Sequence, residues 1–474
     1  MVGHHNCEDI ICTYCYEKFS PKNVKMHYRL KHALPEGEKN ENKTIQDDIE
    51  AEFSMIRNTK KHNAQSGQAL DDLMYKFYTE RMGLSEQEAK TRSMQNEYVV
   101  FDTEDEFEYN VDDYKRYGFC ESVKYKGVEA DRICPFCHNP LLSGAGKKKM
   151  VLISVIGNTN AGKTVYFSSL QKFIANRLMY IGESDAGDYN FFEVGTMLPK
   201  ATNLKPLPSC SMLYTLKKPT GGDSEGIILV FCDIAGENTK DKRKLEKTAF
   251  NLPNSSGILF MIDPTRFAEI ARINGESNVK CDDQKEVFTA LFNFFHAGEN
   301  KLDIPTAIVI TKSDILQKHP FFRTNEEYAE YVQPKGINEH KKYVKIDLLD
   351  KIDAITKKFL EDINESVYIN NVEMLFNKRR FFMVSSIGYD PETEGKDGAI
   401  MPNRVTEPFE WLMFENDAAY TNFNREVEYE VEVPKLLGLI KAKEKRSANL
   451  NFYYKKSENL DARIKEEINR LPEK

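Results

Sequence analysis

The sequence predicts an α/β fold with a doubly wound, mainly parallel sheet. Short apolar runs are long enough for strands buried on both faces, and helical stretches lie between them. Strands that alternate with helices in this way form a parallel sheet covered on both faces. The predicted strands occupy residues 151–156, 211–216, 226–232, 257–263, 306–310 and 381–384.

A glycine-rich loop joins the first of these strands to a helix. Residues 157–164 have the G-x-x-x-x-G-K-[ST] spacing, in which backbone N–H groups surround a phosphate chain and a helix N-terminus adds a favourable partial charge. Lys163 is expected to reach the β- and γ-phosphates and to act in catalysis, and the Thr164 hydroxyl to hold Mg²⁺. The sequence therefore predicts a nucleoside triphosphate site with contacts from Gly157, Asn158, Asn160, Ala161, Gly162, Lys163, Thr164 and Val165.

Three later motifs favour GTP over ATP as the nucleotide. The first, Asp233-Ile234-Ala235-Gly236-Glu237, has the D-x-x-G form; its aspartate would hold Mg²⁺ through water, and the Gly236 N–H would sense the γ-phosphate. The second, Thr311-Lys312-Ser313-Asp314, has the [NT]-K-x-D form. The Asp314 carboxylate would accept hydrogen bonds from guanine N1–H and the 2-amino group, and the Lys312 stem would lie along the base and ribose.

The third motif is Ser385-Ser386-Ile387, which ends the last predicted strand. GTPases place an S-A-x loop at this point, and a backbone N–H of that loop meets guanine O6. Each tripeptide is common on its own, but their order and their placement at strand ends together indicate guanine. The alternative is an ATPase in which Asp314 is fortuitous.

Two C-x-x-C pairs in the N-terminal third predict a metal site. Four thiolates are the ligand set of a closed, structural, tetrahedral Zn²⁺ site, and the four are Cys12, Cys15, Cys134 and Cys137. A single finger that uses His27 and His32 with the first pair is an alternative, and so is the absence of any metal. The four-cysteine ribbon is preferred because the finger leaves the second pair without partners. Loss of the metal is expected to unfold this region and to spare nucleotide binding.

The pattern along the chain predicts three regions. A zinc-binding module occupies residues 1–146 and carries a charged helical insertion at about 35–130, with apolar stripes at Ile49, Phe53 and Ile56 and at Leu70, Leu73, Met74 and Phe77. The nucleotide domain occupies 147–415, and an amphipathic helix over 348–363 separates two of its motifs. A C-terminal extension occupies 416–474, with strands at 426–433 and 450–454 and a helix at 461–471.

Composition narrows the class of protein. The charged fraction is 30%, the hydrophobic fraction is 41% and the net charge is −8, so the overall field does not attract nucleic acid or anionic membrane. The apolar runs are shorter than the roughly 18 residues that span a bilayer. Nine cysteines, an odd number, argue against a disulfide framework. These features predict a cytoplasmic protein in a reducing compartment.

With these motifs the chain resembles the translation-factor and Ras-related (TRAFAC) GTPases, and among them the double-GTPase (DO-GTPase) proteins. Their pattern is a cysteine ribbon, a phosphate loop, D-T-A-G-E and a late R-V-x-E-P-x-x-W-L helix. The resemblance implies a nucleotide-controlled switch that binds GTP and GDP, often encoded beside a partner GTPase, in bacterial or archaeal conflict and signalling systems. The matching segments are residues 12–15, 134–141, 162–166, 233–237 and 404–412.

The chain departs from this pattern at several positions. Glu237 stands where Ras-type GTPases carry a water-orienting glutamine; a carboxylate cannot donate to the γ-phosphate and brings charge near an anion, so intrinsic hydrolysis should be slow. Thr311 replaces an asparagine whose amide would tie the base loop to the phosphate loop. The Mg²⁺-binding switch threonine is either Thr196 or Thr202. The rival functions are a non-hydrolysing scaffold, whose zinc module and tail bind partners, and a P-loop ATPase.

Overall fold

The structure is a computed structural model that describes part of the chain. The described residues are 7–30, 71–93, 107–125, 128–158, 160–167, 169–170, 181–183, 210–217, 226–233, 251–275, 286, 290, 301–333, 344–389, 401–435 and 440–471. Two compact units are present. The first contains residues 1–156, 182–190 and 200–256, and the second contains 157–181, 191–199 and 257–474.

The strands are β1 (Ile10–Ile11), β2 (Lys18–Phe19), β3 (His27–Leu30), β4 (Phe107–Glu108), β5 (Ser122–Tyr125), β6 (Val128–Ile133), β7 (Lys149–Gly157), β8 (Ile181–Glu183), β9 (Cys210–Lys217), β10 (Gly226–Asp233), β11 (Gly257–Ile262), β12 (Thr306–Ile310), β13 (Arg379–Met383), β14 (Thr421–Lys435) and β15 (Ile440–Tyr454).

The helices are α1 (Asp72–Lys76), which continues as a π-helical turn over Phe77–Arg81, α2 (Glu86–Ser93), α3 (Val111–Tyr117), α4 (163–167), α5 (Ala268–Ile273), α6 (Pro320–Arg323), α7 (Glu326–Val332), α8 (Ile346–Asp362), α9 (Ser366–Leu375), α10 (Glu407–Glu415) and α11 (Leu460–Asn469). Among these described helices, none is both long and apolar enough to cross a bilayer.

In the first unit, the strand that leads into the phosphate loop pairs with a parallel neighbour. Val151 of β7 lies opposite Leu229 of β10, and Val155 lies opposite Asp233. Strand β9 joins the other edge of β10 in antiparallel orientation, with Tyr214 opposite Leu229. The side chains of β7 from Met150 onward are buried, as expected for a strand covered on both faces.

Two small antiparallel sheets surround the cysteine pairs in the same unit. Strands β1 and β2 form a hairpin around the first C-x-x-C turn, and β3, β6, β5 and β4 form a four-stranded sheet in that order. The predicted helical insertion is therefore wrong for its C-terminal part, where residues 122–125 and 128–133 are strands. The alternation of buried Val123 and Ala130 with exposed Lys124 and Glu129 is short, and the dense charge obscures its period of two.

The rest of the insertion agrees in part with the prediction. Met74 and Phe77 are buried in the helix that begins at Asp72, whereas Leu73 of the same stripe is 37% exposed. The stripe at Ile49, Phe53 and Ile56, together with Leu70, lies outside the described residues.

One hydrophobic cluster spans the cysteine region and the strands of the first unit. Tyr16, Phe19 and Tyr28 are buried in the same cluster as Leu152 of β7 and Val230 of β10. The predicted boundary at residues 146/147 therefore separates two segments that share a core, because apolar side chains from both are removed from water together.

In the second unit, the described strands β11, β12 and β13 pair with one another in parallel. Leu259 of β11 lies opposite Ala307 of β12, which lies opposite Arg380 of β13. The amphipathic helix predicted over 348–363 is confirmed as α8, with Leu349, Ile352, Ile355 and Phe359 among its buried residues. The parallel strands and helices of the two units confirm the predicted α/β class.

The C-terminal extension is a long hairpin followed by a helix, as predicted. Strands β14 and β15 are 15 residues each, and the rings of Phe423 and Phe452 stack with centroids 5.0 Å apart. Leu460, Ile464 and Ile468 of α11 pack against this pair. In the same hairpin, Glu430 of β14 lies opposite Lys445 of β15, and Glu432 lies opposite Lys443.

Candidate nucleotide site and cysteine cluster

The phosphate loop begins where β7 ends, and steric constraints explain its glycines. A Cβ on Gly157 would lie 2.7 Å from the carbonyl oxygen of Met261 in β11, so no side chain fits there. Gly162 has φ +80° and Asn160 has φ +69°, a left-handed conformation that glycine and asparagine tolerate best. The Tyr166 N–H then donates to the Gly162 carbonyl at 2.8 Å and closes the first turn of α4. The predicted strand–loop–helix is therefore formed.

Lys163 lies inside this loop. Its Nζ donates to the carbonyl oxygens of Gly157 at 2.7 Å and Asn158 at 3.2 Å, and the residue is 9% exposed. A phosphate oxygen is a stronger acceptor for an ammonium group than a neutral carbonyl. The lysine is thus already placed in the loop, where a bound phosphate can replace the carbonyl contacts.

The base-recognition motif of the second unit meets the phosphate loop at Thr311. A Cβ on Gly162 would lie 3.9 Å from both Cβ and Oγ1 of Thr311. The Thr311 hydroxyl donates to the Ile262 carbonyl at 3.1 Å, and its N–H donates to the same oxygen at 2.9 Å. Thr311 therefore ties the base loop to β11. The asparagine of the family pattern would instead tie the base loop to the phosphate loop.

Lys312 is held by an aspartate that the sequence motifs do not identify. Its Nζ lies 2.8 Å from Oδ2 of Asp263, which is 2% exposed and follows β11. Oδ1 of the same carboxylate accepts two hydrogen bonds from Thr265, one from its N–H at 3.0 Å and one from its hydroxyl at 2.7 Å. The lysine backbone is left-handed, with φ +49°. This ion pair fixes the direction of the stem predicted to lie along the base.

Asp314 and Ser385 come together although 71 positions separate them. The Ser385 hydroxyl donates to Oδ1 of Asp314 and accepts from the Gly388 N–H at 2.9 Å. Ser386 and Ile387, the other predicted contacts, lie half-buried in the same loop. The second unit thus brings together the phosphate loop, the T-K-x-D motif and the S-S-I loop.

The structure describes only some of the residues predicted to act on Mg²⁺ and the γ-phosphate. Thr164 lies in the first turn of α4, and Asp233 closes β10. Gly236, Glu237 and both switch candidates, Thr196 and Thr202, lie outside the described residues.

The four cysteine thiols form one buried group. Their sulfur atoms all lie within 4.8 Å of one another, with Sγ–Sγ distances of 3.7 Å for both Cys12–Cys137 and Cys15–Cys134. In each pair a backbone N–H points at the first thiol, from Tyr14 to Cys12 at 3.5 Å and from Phe136 to Cys134 at 3.4 Å. Such N–H···S bonds stabilise thiolates, so the cluster fits a metal ion that prefers sulfur ligands.

The electrostatics differ from one thiol of the cluster to the next. Burial raises the pKa of the Cys12 thiol, whereas hydrogen bonds from the neighbouring thiols, that of Cys12 first, lower the pKa of Cys137. The pKa of the Cys134 thiol is raised as well. A cation bound by the four sulfur atoms would favour the thiolate form of each.

His27 takes part in a different cluster. Its Nδ1 lies 3.2 Å from Nε2 of His138, and the Nδ1 of His138 lies 2.8 Å from Oδ2 of Asp71. Among the described residues, the group that could hold a metal contains only the four cysteines. The geometry therefore favours the four-cysteine arrangement over the single finger; His32, the other predicted finger ligand, lies outside the described residues.

Among the comparisons with known proteins, a family match falls in the central region of the chain. A search of curated proteins returned no match. Among solved structures, the GTP-bound GTPase-like domain of S. cerevisiae Ski7 is similar at 9% identity over 60% of this chain and 55% of that one, with a TM-score of 0.28; the chain thus spans about half of that structure. The family described as Double-GTPase 2 matches this sequence over residues 151–350.

Proposed function

We propose that this chain is a Mg²⁺-dependent GTP-binding switch of the double-GTPase type with slow intrinsic hydrolysis. The observation that carries the proposal is the second unit's grouping of Lys163, Asp314 and Ser385, with Thr311 beside Gly162. A phosphate-binding lysine and a fixed carboxylate on adjoining loops suit the two ends of a guanine nucleotide. The Double-GTPase 2 match over residues 151–350 supports the same assignment.

Each residue has a distinct role in this proposal. Lys163 neutralises the β- and γ-phosphates, and the loop N–H groups supply the remaining donors. Asp314 accepts from guanine N1–H and the 2-amino group, while adenine presents no matching pair of donors. Thr164 and Asp233 are the residues that would hold Mg²⁺, and the ion would offset the charge of the phosphates.

The proposal includes a structural Zn²⁺ at the cysteine cluster. Four thiolates occupy all positions of a tetrahedral ion and leave none for water or substrate. Cytoplasmic location suits such reduced thiols. The partner is a second GTPase or an effector protein, as the family resemblance implies.

Asp314→Ala is expected to weaken GTP binding about a hundredfold and to leave the low affinity for ATP nearly unchanged. Two hydrogen bonds to a charged acceptor are lost, about 3 kcal/mol in total. Calorimetric titration of both nucleotides into the unmodified chain and the variant checks the prediction. An equal loss for GTP and ATP would contradict the guanine assignment.

Glu237→Gln is expected to leave GTP affinity unchanged and to give hydrolysis that is equal or faster. The amide restores a donor for orienting the attacking water, which the carboxylate lacks. Single-turnover phosphate release measures the rate. A large fall in rate with intact binding would show that Glu237 is the general base.

The nucleotide retained after gentle purification separates the rival functions. GDP supports a hydrolysing switch, and GTP supports a non-hydrolysing scaffold. Turnover of ATP in the same preparation would support the P-loop ATPase.

A further inference from the structure

The S-S-I loop is clamped to a segment that no nucleotide motif includes. This segment, residues 401–404, is called the brace here. The Ser385 N–H donates to the Asn403 carbonyl at 3.0 Å, and the Asn403 N–H donates back to the Ser385 carbonyl at 2.7 Å. The Met401 N–H donates to the Ile387 carbonyl at 2.8 Å. The backbone of the S-S-I loop is therefore fixed at both of its ends by the brace.

Gly388 shows how closely the loop and the brace approach. Its φ is +85°, and a Cβ at this position would lie 2.1 Å from the carbonyl oxygen of Met401. The Gly388 N–H also donates to the Ser385 hydroxyl. A side chain at 388 would push the loop off the brace and would move the hydroxyl that contacts Asp314.

The brace is itself anchored through Asn403 and Arg404. The Asn403 side-chain amide donates to the Tyr331 carbonyl of α7 at 3.0 Å, and the residue is 4% exposed. The Arg404 guanidinium lies 4.7 Å from the centre of the Tyr331 ring and 2.9 Å and 3.1 Å from the carboxylate oxygens of Glu407. These contacts account for the start of the R-V-x-E-P segment, which the nucleotide site does not otherwise use.

The anchor reaches Asp314 through Ser385. Ser385 is fully buried, and its hydroxyl donates to one carboxylate oxygen of Asp314. The direction of that hydroxyl depends on the Ser385 backbone, which pairs with Asn403. A chain of hydrogen bonds therefore runs from Tyr331 through Asn403 and Ser385 to the carboxylate.

We infer that Asn403 is a positioning residue for guanine recognition, which it serves by fixing the Ser385 loop and thereby the Asp314 carboxylate. This inference rests on the proposed function. Two bonds to the base require the plane of the carboxylate to be set before binding, since hydrogen bonds weaken steeply with angle. Asparagine suits the position because its short amide reaches a buried carbonyl while its backbone stays paired.

The test compares the GTP-to-ATP affinity ratio of Asn403→Ala with that of the unmodified chain. Loss of one buried hydrogen bond that holds the loop is expected to lower this ratio about tenfold, with ATP affinity unchanged. Asn416→Ala is the matched control, because Asn416 donates its side-chain amide to the Leu412 carbonyl at 2.9 Å at the far end of α10. Its ratio should equal that of the unmodified chain. Asn403→Ser, whose hydroxyl is too short to reach Tyr331, replaces the alanine variant if that one does not fold.

A double variant distinguishes positioning from general stability. In the Asp314→Ala background, Asn403→Ala should change GTP affinity by less than about twofold, because the group through which it acts is gone. A parallel loss of GTP and ATP in the single variant, or an additive tenfold loss in the double variant, would overturn the inference. If the unmodified chain itself does not prefer GTP, the proposed function fails instead.

Discussion

Cys134→Ser is expected to empty the proposed metal site and to destabilise the first unit, while His27→Ala is expected to leave the metal bound. Cys134 contributes one of four clustered thiols, and a bound structural metal contributes directly to folding, about 10 kcal/mol in small zinc domains. His27 contacts His138 instead. Metal content by atomic emission and thermal unfolding of both variants measure the effect. Metal loss in His27→Ala with retention in Cys134→Ser would restore the single-finger interpretation.

Because the cysteine region packs against strands of the first unit, loss of its metal should also affect nucleotide binding. Tyr16, which directly follows Cys15, accepts a bond from the Cys232 thiol of β10 at 3.0 Å, and the Tyr16 carbonyl accepts from the Asn254 amide at 2.9 Å. The sequence alone predicts that nucleotide binding is spared. Because β10 ends at Asp233 and β7 leads into Gly157, we now expect the Cys134→Ser chain to bind GTP more weakly as well.

Lys163→Ala is expected to lower GTP affinity about a thousandfold and to abolish hydrolysis with it. The ammonium group would make at least two charge-assisted hydrogen bonds to phosphates, about 1.5–3 kcal/mol each. Fluorescence titration with labelled GTP measures binding, and phosphate release measures turnover. The matched control is Lys318→Ala, since Lys318 is exposed in the turn after Asp314; it should bind GTP normally. Normal GTP binding by Lys163→Ala would show that the phosphate loop is not part of the nucleotide site.

The parts of the site that lie within short motifs could be predicted from the sequence. The loop at 157–164 and the two cysteine pairs have spacings set by local geometry, so each motif carries its own signal. The structure supports their placement, with Lys163 inside the loop and the four thiols in one group.

Asp263 and Asn403 could not be predicted in the same way. Each acts through a partner distant in sequence, Lys312 for Asp263 and both Ser385 and Tyr331 for Asn403. A lone polar residue after a buried strand is a signal for Asp263, but only the parallel pairing of β11 with β12 makes it specific. The strands at 122–125 and 128–133 are hard to predict for another reason, because charged side chains lie on their exposed face.

Competition between GTP and ATP for the unmodified chain tests the central claim most directly. Labelled GTP is bound in the presence of Mg²⁺ and then displaced by each unlabelled nucleotide. The account predicts that displacement requires about a hundredfold more ATP than GTP, because only guanine offers two donors to Asp314. Displacement at equal concentrations, or a lower requirement for ATP, would contradict the assignment of this chain as a GTP-binding protein.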